Sequence, residues 1–278
     1  MTEAITLLSP AKLNLFLHIT GRREDGYHEL QTLFQLLDWG DTLGFSANRR
    51  GAITLNTSGR QLDVPLEENL IYRAARLLQK GDLGVDITLE KRIPSGAGLG
   101  GGSSNAATTL LALNRLWQLD LPLEQLQAMG ARLGADVPVF VGGRSAWAEG
   151  IGEILSPVDL PQTWYLVIAP SCHIATAEIF SNEQLTRNTS PIKIATFFEG
   201  HSRNDCQDIV RRLYPEVDKA LIWLGKFGEA RLTGTGACVF ASFESKTLAD
   251  AALGQLPPTW TAVVARGLNQ SPVHAALY

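Results

Sequence analysis

Gly96-Ala97-Gly98-Leu99-Gly100-Gly101-Gly102-Ser103-Ser104 is the densest concentration of chemistry in this 278-residue sequence. Glycine reaches positive φ and lacks a Cβ, so successive backbone N–H groups can converge on an anion. A strand pattern precedes the cluster and a helical one comes after it. A helix start adds unpartnered N–H groups and the positive end of the dipole. Phosphate suits this arrangement; a glycine hinge would not need Ser-Ser at a helix start. Two familiar phosphate loops are excluded. A Walker A loop closes on Gly-Lys-Ser/Thr, whereas Gly102 is followed directly by Ser103. Gly96, Gly98 and Gly101 do spell G-x-G-x-x-G, with Asp120 near the expected distance downstream. In a dinucleotide fold, however, that acid ends a second strand. Asp120 comes after the helix and precedes Leu121-Pro122, a new helix start.

Other residues offer chemistry of a less singular kind. Asp136, in Gly134-Ala135-Asp136-Val137-Pro138, is a carboxylate suited to taking a proton from an alcohol and equally suited to capping a helix. Spacing alone leaves both open. Lys12 and Asn14 alternate onto one strand face and so can enter one cleft, although an isolated lysine there would ordinarily end a strand in solvent. Tyr27-His28 come after the Asp25-Gly26 turn. An aromatic ring stacks on a nucleobase and an imidazole bonds a base edge, but surface packing is the common role of such a pair. Gly234-Thr235-Gly236-Ala237, after Leu232-Thr233, reads as an anion-binding turn or a plain β-turn. His18, His173, His201 and His274 have no partner at ligand spacing and read as structural, and Asn204-Asp205 reads as a helix cap.

The elements that must position these residues alternate in type. Lys12–His18 and Tyr27–Leu37 read as strands joined by the Asp25-Gly26 turn, with another turn at Asp38-Trp39-Gly40-Asp41. Strands at 53–56 and 85–89 flank a helix through Leu70, Ala74, Leu77 and Leu78. After the glycines, Ala106, Leu110, Leu113 and Trp117 fall on one helical face, and a further helix runs near Leu123–Leu133. Ser156-Pro157 and Leu160-Pro161 mark a linker. Beyond it come strands at 164–169, 230–233, 238–242 and 260–265, with helices near 206–214, 216–227 and 247–255. Antiparallel hairpins mixed with helices indicate α+β rather than a doubly wound sheet. We take residues 1–158 and 159–278 as two domains.

Composition narrows the classes further. With 45% hydrophobic and 19% charged residues, the chain is neither disordered nor coiled coil. Net charge is −4 and no basic run exceeds two residues, so the electrostatic footprint of a nucleic-acid binder is missing. Apolar runs such as Val137–Val141 fall far short of the ~20 residues of a membrane helix. No export signal opens the chain, and three scattered cysteines (Cys172, Cys206, Cys238) have no metal-ligand spacing. A reducing cytoplasm is the expected location.

Three segments, Ser9-Pro10-Ala11-Lys12-Leu13-Asn14, Pro94 to Ser104, and Leu232-Thr233-Gly234-Thr235-Gly236-Ala237, resemble the three-motif pattern of the GHMP kinases. Gly21-Arg22-Arg23-Glu24-Asp25-Gly26-Tyr27-His28 and Gly134 to Pro138 narrow the likeness to the branch of the non-mevalonate isoprenoid pathway, over nearly the whole chain. The resemblance implies an N-terminal domain like the second domain of ribosomal protein S5 and a ferredoxin-like C-terminal domain. It also implies an ATP-dependent kinase, with Mg²⁺, that phosphorylates the 2-hydroxyl of a cytidine diphosphate-linked methylerythritol. On this likeness Asp136 is the general base, and Lys12 orients it and the acceptor oxygen. Pro94, Ser95, Gly96, Ala97, Gly98, Leu99, Gly100, Gly101, Gly102, Ser103 and Ser104 hold ATP, with Asn69 and Lys91 on the adenine side. Asn14 contacts the substrate, Tyr27, His28, Phe180 and Thr176 grip cytosine, and Gly234, Thr235 and Gly236 close on a phosphate. No metal ligand is assigned. Partners are small molecules, not nucleic acid or membrane, and the chain is a monomer or homodimer. Mevalonate, homoserine or galactose as acceptor, or a non-catalytic nucleotide or sugar sensor, are the alternatives.

Overall fold

The computed structural model describes residues 4–278. Strands β1 (Ala4–Arg22) and β2 (His28–Asn48) form a long antiparallel hairpin over the Asp25-Gly26 turn, and β3 (Ile53–Gly59) comes next. Helix α1 (Leu70–Leu78) leads to β4 (Gly84–Lys91), which pairs parallel to β3 and antiparallel to β2. The glycine loop then opens α2 (Gly101–Leu116), followed by α3 (Leu123–Ala131), α4 (Val137–Gly142), β5 (Ala146–Glu149) and β6 (Ile154–Pro157). The second half runs β7 (Trp164–Ala169), α5 (Thr176–Ser181), α6 (Ile194–Phe198), α7 (Gln207–Leu213), α8 (Pro215–Leu224) and β8 (Arg231–Leu232). It ends with β9 (Val239–Phe243), α9 (Lys246–Leu253), β10 (Thr261–Leu268) and α10 (Pro272–Leu277).

The α+β class and both expected halves are present. In the second half the strand order β10-β7-β9-β8, all antiparallel and built from a β-α-β-β-α-β chain order, is the ferredoxin-like arrangement. Three apolar cores hold the molecule together. One lies between the first sheet and α1, α2 and α4, and a second fills the ferredoxin-like half. The third bridges them, with Leu13 and Phe16 of β1, Leu37 of β2, Leu99 of the glycine loop, and Val167 and Phe240 of the second half. The expected boundary at 158/159 would fall just past β6, but α10 returns across it and buries Val273 in the first core.

Two local expectations need correcting. The turn at Asp38–Asp41 does not reverse the chain, because β2 runs straight through it. The irregularity is taken up as a register shift between Pro10 and Lys12, a bulge, and Gly40 lets the strands approach so closely that a Cβ would lie 1.9 Å from the Ser9 carbonyl oxygen. The supposed linker begins inside β6, whose residues pair with β5, so the connection shrinks to residues 158–163. Helix α2 is buried almost all round, so its small residues (Ala106, Ala107, Ala112) matter as much as the apolar stripe that marks it in sequence. Among the described residues no helix is long and apolar enough to cross a membrane.

Candidate active site

A cleft of about 1090 Å³ opens between the halves, and most of the sequence-nominated residues line it. Its floor is stitched together by backbone bonds among the three motif segments. The Lys12 N–H donates to the Leu99 carbonyl (3.0 Å) and the Cys238 N–H to the Ala97 carbonyl (3.2 Å). Thr233 Oγ1 accepts from the Asn14 N–H (2.9 Å) and donates to the Gly98 carbonyl (3.2 Å). Gly98 sits at φ +78°, and a Cβ there would lie 2.2 Å from the Thr233 oxygen. The loop is therefore a clamped structure, with Ala97 and Leu99 buried in the bridging core.

Beyond the loop, α2 begins with its first intrahelical bond from Ser104 N–H to the Gly100 carbonyl (2.8 Å). The N–H groups of Gly101, Gly102 and Ser103 have no partner within the helix, and all three residues line the cleft. An anion there meets N–H donors and the positive end of a sixteen-residue helix. The serine pair divides. Ser103 faces the cleft, whereas the Ser104 hydroxyl is buried against Ser9 Oγ at 2.8 Å, with Thr108 behind it. Side chains thus remove Ser104 and Leu99 from the anion's surroundings.

Lys12 and Asp136 meet across the cleft at 3.3 Å. Lys12 is only 3% exposed, far from a solvated strand end, and its ammonium also donates to Asn14 Oδ1. The Asn14 amide in turn donates to Thr32 Oγ1 (3.0 Å), so the ammonium and the amide are held in one orientation. Asp136 stands at the start of α4 but makes no capping bond there; its side chain is about one-third exposed and aimed at Lys12. The capping alternative is thereby set aside.

At the far end, the His28 and Phe180 rings lie 5.0 Å apart and tilted by 31°, with Tyr27 61% exposed at the same rim. Thr176 and Thr235 share a hydroxyl bond of 3.0 Å that ties α5 to the glycine turn after β8. Gly234 packs against Gly98 and Asn14, but Gly236 turns toward the apolar core of the second half, so only Gly234 and Thr235 line the cleft.

Asn69 and Lys91 line the opposite wall with prior engagements. Asn69 Oδ1 caps α1 by accepting from Ile71 N–H. The Lys91 ammonium lies 2.6 Å from Asp41, both buried; burial lowers its pKa and the carboxylate partly opposes that. Asp41 also accepts from the Arg92 and Ile93 N–H groups and from Asn105, which fixes the end of β4 to the first turns of α2. In the sequence Asp41 passes for a turn residue, and neither Thr32 nor Arg187 carries a motif. The cap expectation for Asn204-Asp205 fails, because Cys206 is the N-cap of α7 and no side chain caps it. Asn204 Oδ1 accepts from the Cys206 N–H (2.9 Å) just before the helix, its amide holds the Leu232 and Gly234 carbonyls, and Asp205 accepts from the Ile19 N–H (2.8 Å).

A glycine loop at a helix start, facing a lysine–carboxylate pair across a two-lobed α+β cleft, defines a phosphotransferase site. The profile described as "GHMP kinases N terminal domain" matches residues 69–144, and "GHMP kinases C terminal" matches 185–260. The chain belongs to the GHMP kinase family and is a small-molecule kinase. Among its relatives, 4-diphosphocytidyl-2-C-methyl-D-erythritol kinase of Pseudomonas aeruginosa (strain UCBPP-PA14) is 58% identical over 280 residues, spanning 100% of this chain and 99% of its own. The protein of that name from Hahella chejuensis (strain KCTC 2396) is 55% identical, covering 98% and 96%. A crystal structure of 4-(cytidine 5'-diphospho)-2C-methyl-D-erythritol kinase superposes with TM-score 0.80 at 35% identity, over 95% of this chain and 99% of that one. Methanococcus jannaschii mevalonate kinase, at TM-score 0.67 and 17% identity over 97% and 99%, shares the fold.

Proposed function

We propose that this kinase transfers the γ-phosphoryl group of ATP to the 2-hydroxyl of 4-diphosphocytidyl-2-C-methyl-D-erythritol. The observation that carries it is one cleft holding three features in order: the free N–H groups of α2, the Lys12–Asp136 pair, and the Tyr27, His28 and Phe180 rings. The full-length relatives of that name support the choice of acceptor. Mevalonate, homoserine and galactose offer no base for the ring cluster to hold.

In this reading the triphosphate lies on residues 94–98 and 100–103 with its γ-phosphorus toward Asp136. Asp136 takes the proton of the acceptor hydroxyl as its oxygen bonds to the γ-phosphorus, and the bond from that phosphorus to the β,γ-bridging oxygen breaks to release ADP. Lys12 holds Asp136 and steadies the charge on the transferring oxygens. Among the described residues no group of three or more His, Cys, Asp or Glu could hold a metal. The donors present fit an ion that stays mainly on phosphate oxygens, with the Ser103 hydroxyl beside it. Mg²⁺ would neutralise phosphate charge there. We place Asn69 and Lys91 along the adenine wall, and Thr176, Thr235 and Gly234 along the cytidylyl side with Asn14. We take 1–158 and 159–278 as the two domains, α10 returning to the first, in a cytoplasmic monomer or homodimer.

The test is ADP release with Mg-ATP and the cytidylyl-methylerythritol substrate, beside mevalonate, homoserine and galactose and beside Asp136→Asn. Turnover confined to the cytidylyl acceptor is expected. Faster turnover of another acceptor would overturn the assignment.

A further inference from the structure

Arg187 lies in the segment between α5 and α6, outside every motif, yet its guanidinium is among the most fully engaged groups in the molecule. Nε donates to His28 Nε2 (3.0 Å), Nη1 to the Leu185 carbonyl (3.1 Å), and Nη2 to the Phe180 and Asn182 carbonyls (2.8 Å each). One rigid fork thus holds both the imidazole and the backbone of the ring that stacks beside it.

An arginine has donors and no acceptor, so the nitrogen it meets must present a lone pair. In a neutral imidazole the proton is then on Nδ1. Among the described residues His28 Nδ1 has no partner, and it is not a buried atom, while the ring lines the cleft. It stands as an N–H donor open to a ligand. Cytosine carries an acceptor at N3 where uracil carries a donor, so a fixed donor facing N3 discriminates between them, although O2 accepts in both bases.

We infer that Arg187 is a positioning and specificity-determining residue: it locks His28 into the Nδ1–H tautomer and so selects a cytosine-like acceptor edge. This rests on the cytidylyl reading of the cleft. Charge supports the neutral form. Burial lowers the His28 pKa below 6.5, and Arg187 and Arg22, the residue opposite in the hairpin, push it the same way. The neighbouring carboxylates Asp25 and Glu29 are both drawn to Arg23, at 3.2 and 3.7 Å.

The deciding measurement is the ¹⁵N imidazole spectrum of the full-length enzyme without ligand, with His28 assigned against His28→Gln. A protonated Nδ1 and bare Nε2 at pH 7.5 are expected, with the ring gaining its second proton only below pH 6.5. In Arg187→Met the ring should become a tautomer mixture and titrate at higher pH. KM for the cytidylyl substrate should rise about tenfold, with kcat and KM for ATP within about twofold, the scale of one lost hydrogen bond. A proton on Nε2 in the unsubstituted enzyme, or an unchanged spectrum in Arg187→Met, would overturn the inference. So would equal changes in both KM values in a variant that keeps its melting temperature. If Arg187→Met fails to fold, the unsubstituted spectrum alone decides. The spectrum needs no substrate, so an enzyme inactive on cytidylyl-methylerythritol would refute the acceptor reading and leave the tautomer measured.

Discussion

In the proposed reaction Asp136 and Lys12 divide the chemistry in a way their surroundings make testable. The carboxylate is one-third exposed and has the 3.3 Å contact with Lys12 as its ion pair, so little of the fold depends on it. Asp136→Asn should lower kcat by about 10²–10⁴-fold, the scale of a positioned general base, with an unchanged melting temperature. Normal turnover in that variant would remove it from the mechanism. Lys12 differs because it is buried and also serves Asn14. Lys12→Met should lower kcat by at least about 10²-fold while KM for ATP stays near normal, since the α2 amides remain. A kcat within a few-fold of normal would show the ammonium to be structural.

The glycine loop owes its shape to neighbours as much as to its glycines. Asp41 gathers four hydrogen bonds where β4 ends and α2 begins. Asp41→Ala strands the buried Lys91 ammonium, and a broken buried pair costs about 3–5 kcal/mol, so a large fall in the denaturation midpoint is expected. A change under about 1 kcal/mol would mean that water reaches Lys91 and the pair contributes little. Gly98→Ala combines a positive φ with a 2.2 Å clash against Thr233. It should weaken ATP binding more than acceptor binding, because the loop must shift to accommodate the methyl group. Titrations with each nucleotide separately would reveal the asymmetry.

Over the whole molecule, histidines tie stability to pH. His18 is buried on β1 behind a second, smaller pocket lined by Thr189 and Arg203, and His274 is buried on α10 where that helix returns to the first core; burial lowers both pKa values below 6.5. Their folded pKa values lie under the unfolded one, so the unfolded chain binds more protons once pH falls through 6.5. Stability is therefore full above about pH 7, falls as pH drops below 6.5, and levels only beneath the folded values. Thermal melts from pH 7.5 to 5 should trace that decline, and His274→Leu should flatten it. A flat profile in the unsubstituted protein would show that these imidazoles gain charge without penalty.

The order of elements, the glycine loop at a strand–helix junction, and the pairing of Lys12 with Asn14 on one face were legible in the residues, because each depends on neighbours within a few positions. Glycine torsions, strand alternation and helix starts are local physics. The exclusion of a Walker A loop needed only Ser103 directly after the glycines, and that of a dinucleotide loop needed only Asp120 and the helix start at Leu121-Pro122. Local spacing could not decide whether Asp136 caps α4 or faces Lys12, 124 positions earlier in the chain, since a carboxylate serves either end. Nor could it show that Asp41 is buried, that Ser104 turns inward, or that Arg187 reaches His28. Those outcomes belong to long-range packing: the bridging core draws the two halves together, and desolvation then requires each buried polar group to find its partner across the chain.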